Sequence, residues 1–108
     1  VTAGGTIPAE RIGGPGCVGT IAQPPDVRLN YQAGGGLPLW IGARSAADVT
    51  LVVNLPNGQW ICNDDFIGTN PGLIFRQPMS GQYDIWIGHY DRGRGVPTQL
   101  IISEVPPR

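Results

Sequence analysis

Few side chains in this 108-residue chain have chemistry beyond packing. Cys17 and Cys62 stand 45 residues apart, with no CxxC and no histidine beside them to complete a metal set. Joined, they would close a loop for which chain-entropy models give about 4 kcal/mol; the competing reading is two independent buried thiols. An even cysteine count in a small domain favours the bridge, and with it an oxidising, extracytoplasmic compartment. The single histidine, His89, lies between Gly88 and Tyr90. A relay from it to Ser45, Ser80 or Ser103 would lack a nucleophile-elbow context, so catalysis is not expected. Glycoside hydrolysis needs two acids facing across a cleft, whereas Asp64 and Asp65 are neighbours at a turn, where side chains diverge. With Asn63, those two acids form a candidate calcium site, since hard cations take several oxygens and Thr69, Asn70 and loop carbonyls follow. The spacing of a calcium-binding helix-loop-helix is absent. An Asx turn with one solvated aspartate explains the same residues, and no other cofactor is expected.

The elements that position these groups read as strands. Val (8) and Ile (11) outnumber Leu (7), which suits a pleated surface better than a helix. Short apolar alternations recur from Val18 onward, separated by turn signals every eight to twelve residues or so, the pattern of a sandwich or barrel. Strands are expected near 18-22, 26-33, 37-44, 48-55, 59-63, 72-77, 82-90 and 98-105. No long segment carries a 3.6-residue period with helix caps, so helix should be close to absent.

Alternation assigns the faces. In 37-44, Leu37, Leu39, Ile41 and Ala43 share one side and Pro38, Trp40, Gly42 and Arg44 the other. In 82-90, Tyr83, Ile85 and Ile87 oppose Asp84, Trp86, Gly88 and Tyr90. Both strands thus place a tryptophan on the face that normally meets water. If the strands are neighbours, Trp40 and Trp86 with Tyr90, Arg28 and Arg44 form a platform for sugar rings or a protein. The competing reading, which is favoured, covers the indoles with another part of the protein, because wide apolar patches are seldom left bare. Trp60, two residues before Cys62, is expected to pack beside the bridge.

The ordered series Pro25-Asp26-Val27-Arg28-Leu29, Trp60-Ile61-Cys62-Asn63-Asp64-Asp65, Leu73-Ile74-Phe75, Ser80-Gly81-Gln82-Tyr83, Ile85-Trp86-Ile87-Gly88 and Leu100-Ile101-Ile102-Ser103-Glu104 resembles the bacterial pre-peptidase C-terminal domain. The version here is similar to modules appended to secreted proteobacterial proteases and other exported proteins. The likeness covers roughly residues 17-105. It implies a jelly-roll-like antiparallel β-sandwich, export and a non-catalytic role, and supplies no ligand.

Residues 1-16 lie outside that likeness and carry no alternation beyond three positions, so they read as a Gly-rich arm, with 106-108 as a short tail. Such an arm is ordered only where something holds it, the domain's own surface or a neighbouring copy. Thr6, Ile7, Arg11 and Ile12 are its expected anchors, with Gly4-Gly5 and Gly13-Gly14 as hinges. Insertion into a neighbour by strand addition would make a homopolymer.

Composition bounds the partners. Gly (17) and Pro (11) make up about a quarter of the chain, yet Val, Ile, Leu and Phe are frequent enough for a core. Net charge is -1 and the seven cations are scattered arginines, which gives no basic stripe for nucleic acid. No apolar run is long enough for a membrane span, and no charged start followed by an apolar block marks a signal peptide. The expectation is a secreted, all-β module of about eight short strands that acts by surface association, either with itself through the arm or with a cell-surface protein or polysaccharide through Trp40 and Trp86.

Overall fold

The structure, a computed structural model, describes residues 1–64, 70–90 and 95–105. The tail 106-108, Asp65 and Thr69 lie outside the described residues.

Among the described residues, eleven strands and one short helix follow one another: β1 (Thr2–Ala3), β2 (Ile7–Pro8), α1 (Ala9–Gly13), β3 (Thr20–Ile21), β4 (Val27–Tyr31), β5 (Leu39–Arg44), β6 (Val49–Asn54), β7 (Trp60–Asn63), β8 (Gly72–Phe75), β9 (Gly81–His89), β10 (Val96–Pro97) and β11 (Gln99–Ser103). Every expected strand is present; β9 keeps its expected length shifted by one residue, and the others are somewhat shorter than their sequence patterns. The additions are α1 and the two-residue strands β1, β2 and β10. All pairings are antiparallel. One sheet runs β11-β5-β8; the larger runs β2-β3-β9-β6-β7, with β4 also on β9; β1 and β10 form a separate ribbon.

The two main sheets pack face to face around the residues that alternation placed inside. Leu39, Ile41 and Ala43 of β5 meet Val49, Leu51 and Val53 of β6 and Tyr83, Ile85 and Ile87 of β9. Tyr83 is fully buried, and its hydroxyl donates to the Met79 carbonyl at 2.7 Å. Phe75 and Tyr31 pack on its ring, with centroids 5.8 and 6.4 Å away. Leu37, assigned to the same face by its spacing, is 47% exposed because the strand begins only at Leu39.

The arm is not a loose extension. It is laid along the larger sheet and contributes two side chains with no exposed surface, Ala3 to the core between the sheets and Ala9 to a second cluster outside. Ile7 pairs with Ile21, Ala3 with Val96, and the Ala9 N–H donates to the Gly19 carbonyl. Gly5 passes so close to the Ile21 carbonyl that a Cβ would collide with backbone. The expected hinge is therefore a point of closest approach.

One gap in the larger sheet is closed by a side chain. β3 and β4 both pair with the same side of β9, at His89 and at Gly81 to Ile85, which leaves Ile87 between them. The Ile87 N–H donates to Asp26 Oδ2 at 2.7 Å, while its carbonyl accepts from the Gly4 N–H of the arm at 2.9 Å. Both main-chain groups of a fully buried residue are thereby satisfied.

Candidate functional site

Chemistry-bearing residues concentrate on the outer face of the larger sheet, where successive rows cross β7, β6 and β9. Cys62 lies opposite Val52, and Val52 opposite Trp86; one row along, Trp60 lies opposite Asn54, Asn54 opposite Asp84, and Asp84 opposite Arg28 of β4. A two-residue side-chain period puts all of these on the face turned away from the inter-sheet core.

The first row is covered by the arm. Cys17 and Cys62 form a disulfide with Cα atoms 5.4 Å apart, as the bridged reading of the sequence expected. Ala9, Ile21, Val52 and Trp86 are buried with it, and Ile7 and Trp60 pack against them. Gly13, at the end of α1, stands over the bridge: a Cβ there would lie 2.6 Å from Cys17 Sγ and 3.0 Å from Cys62 Sγ. The cystine therefore also fixes where the arm lands.

The joint platform of Trp40 and Trp86 is not formed. The two residues belong to different sheets, and they are 5% and 7% exposed. Trp86 is covered by the arm, and its indole N–H reaches the Gln23 carbonyl at 3.4 Å. Trp40 lies flat over the paired glycines Gly42 and Gly72, where a Cβ at either would enter its ring. The partner of Trp86 is instead Trp60, with ring centroids 5.3 Å apart and planes inclined by 38°. Trp60 starts on β7, two strands away from β9, so its ring extends across β6 to make this contact. The period from Cys62 back to Trp60 put both on one face and carried the signal for this pair.

The remaining sequence candidates are dispersed. Tyr90 is 44% exposed and donates to Asp64 Oδ2 at 2.8 Å; Asn63 Oδ1 accepts the Gly72 N–H at 3.0 Å. The third member of that calcium reading, Asp65, falls outside the described residues. Among the described residues no group of three or more His, Cys, Asp or Glu side chains converges on a point. Arg44 is exposed at the end of β5, on the smaller sheet, far in the fold's order from Arg28, whose Nε lies 3.4 Å from Asp84 Oδ1. Of the expected arm anchors, Ile7 packs inward, while Thr6, Arg11 and Ile12 are exposed. The residues that hold the arm, Ala3 and Ala9, gave no signal because a small side chain becomes an anchor only through the depth of its seat.

His89 is buried at the end of β9. Ser45 and Ser103 donate to the carbonyls of Pro97 and Val105, and Ser80 accepts the Ala33 N–H. Each hydroxyl is engaged with a main-chain group. Burial pushes the Asp26 carboxyl above the ordinary aspartate range, against the lowering effect of the Ile87 N–H that it accepts. No described helix is long and apolar enough to cross a membrane. No protein-family model matches the chain, and no curated protein matches it.

Proposed function

We propose that the chain is an extracytoplasmic, non-catalytic β-sandwich module related to the pre-peptidase C-terminal domain, and that it works by surface association, with the arm as the element through which copies join. The supporting observation is the way residues 1-13 are seated. They are held by short ladders at β1 and β2, by Gly4 and Ala9 main-chain bonds, and by the buried methyl groups of Ala3 and Ala9, with no covalent tie before Cys17. Every one of these contacts runs from arm to domain. The arm of a neighbouring copy would satisfy the same set, and strand addition of this kind also covers edges that would otherwise aggregate. The disulfide supports the oxidising compartment.

Sedimentation of the native chain over a wide concentration range tests this reading, with Ala3→Cys/Val96→Cys as the comparison, since these residues pair directly across β1 and β10. Concentration-dependent assemblies that vanish when the new bridge locks each arm to its own domain are the expected outcome. An 11.4 kDa species throughout, or assemblies indifferent to the lock, overturns it.

A further inference from the structure

The cluster under the arm buries Val52 and Trp86, whereas in the next row Trp60, Asn54 and Asp84 are half-buried and Arg28 is exposed. There the larger sheet presents Trp60, Asn54, Asp84 and Arg28 side by side across four strands, a span of about 14 Å at the usual strand spacing. Gln82 adjoins them, exposed to solvent.

These groups are held in place and still have bonding capacity left. Asn54 directs its amide N–H groups to the Gly58 and Gln59 carbonyls, at 3.0 and 3.5 Å, which leaves its carbonyl oxygen open. Asp84 Oδ1 accepts from Gln82 Nε2 at 2.9 Å and lies 3.4 Å from Arg28 Nε, which leaves Oδ2 and the outer guanidinium nitrogens open. At one end the half-buried Trp60 ring is fixed against Trp86.

From this arrangement we infer a binding face for a neutral polysaccharide, with Trp60 as the stacking surface and Asn54, Asp84, Arg28 and Gln82 as the hydrogen-bonding strip. A pyranose ring offers an apolar C–H face to an indole and a rim of hydroxyls that each donate and accept, which matches an aromatic ring beside mixed donors and acceptors. Charge decides against the alternatives. Arg28 and Asp84 neutralise one another at the centre of the strip, so a polyanion or polycation gains nothing there. A protein partner would want an apolar core to its contact, and Trp60 is the one large apolar group in this row. Because the polar groups are already oriented by one another, binding costs little further side-chain ordering.

The test is affinity electrophoresis of the full chain through native gels containing hydroxyethylcellulose, glycogen or alginate. Retardation in at least one neutral polymer, unchanged by added salt, is the expected result. Trp60→Ala should weaken it about tenfold, as loss of an aromatic contact does. Arg28→Ala should weaken it roughly threefold, as loss of one hydrogen-bonding group does. Arg44→Ala, on the smaller sheet, should leave it unchanged. Quenching or a shift of tryptophan fluorescence should accompany binding. Absence of retardation in both neutral polymers, retardation only in alginate, or full binding by Trp60→Ala overturns the inference. Should Trp60→Ala fail to fold, full binding by the Asn54→Ala/Arg28→Ala double variant overturns it equally.

Discussion

The two faces of the larger sheet are buried by different means. Its inner face meets a second sheet through Leu, Ile, Val and Tyr side chains that interlock from both sides. Part of its outer face is sealed by an irregular segment that contributes Ala9, Ile7, the cystine and glycines that let backbone approach backbone. The first kind of burial rests on apolar volume and tolerates exchange among hydrophobic residues of similar size. The second rests on the absence of atoms, so additions should harm it more than removals.

The largest effect that separates the two should come from the cystine. Cys17→Ser/Cys62→Ser leaves the inner face intact but removes a cross-link between residues 45 apart, and the unfolding free energy should fall by about 4 kcal/mol in denaturant titration. A loss under 1 kcal/mol would mean that the arm is held without its base.

Next come the small residues. Gly5→Ala brings a methyl group against the Ile21 carbonyl, and Ala9→Leu overfills a site with no exposed surface. Each should cost about 1–3 kcal/mol. Amide exchange should rise in residues 2-13 while β6 and β9 stay protected; uniform loss of protection would show that the two faces are one cooperative unit.

Asp26 lies where the faces meet. Asp26→Ala leaves the buried Ile87 N–H without an acceptor, at about 1–3 kcal/mol. Asp26→Asn keeps an oxygen there and removes the titration. The folded value of this carboxyl is raised, so the folded state holds the proton more tightly than the unfolded chain. Stability from this group is therefore fully present below the ordinary aspartate range and falls as pH rises through the raised folded value. Thermal melts across that window should slope downward in the native protein and flatten in Asp26→Asn.

The smallest effect should be at Tyr90→Phe, which loses one exposed bond to Asp64. A change within about 0.5 kcal/mol is expected at such a surface position, and a larger one would give the 63-64 corner a structural role.

Legibility in the sequence follows the same division. Strands β5 and β9 carry several alternations, and period alone assigns Leu39, Ile41, Ala43, Tyr83, Ile85 and Ile87 to the inward face, while Leu37, given the same face, lies before the strand begins and is exposed. β1, β2 and β10 are two residues each and too short to show any period. Gly5 and Gly13 look the same in sequence whether they bend freely or lie under a neighbouring chain, since lack of a Cβ serves both. Trp40 and Trp86 were placed on outward faces correctly, but period says nothing about which sheet a strand joins. Their separation required the pairing of β5 with β8 and β11, a long-range fact.

The position of Gly13 over the bridge has a kinetic consequence. Thiol exchange requires an attacking thiolate to approach along the sulfur–sulfur axis; Cys17 is 5% exposed with Gly13 packed beside its sulfur, while Cys62 is half-buried. Reductant therefore meets the half-buried Cys62 sulfur more readily than the buried Cys17 sulfur. The mixed disulfide should accordingly form first on Cys62, with Cys17 leaving as the thiolate.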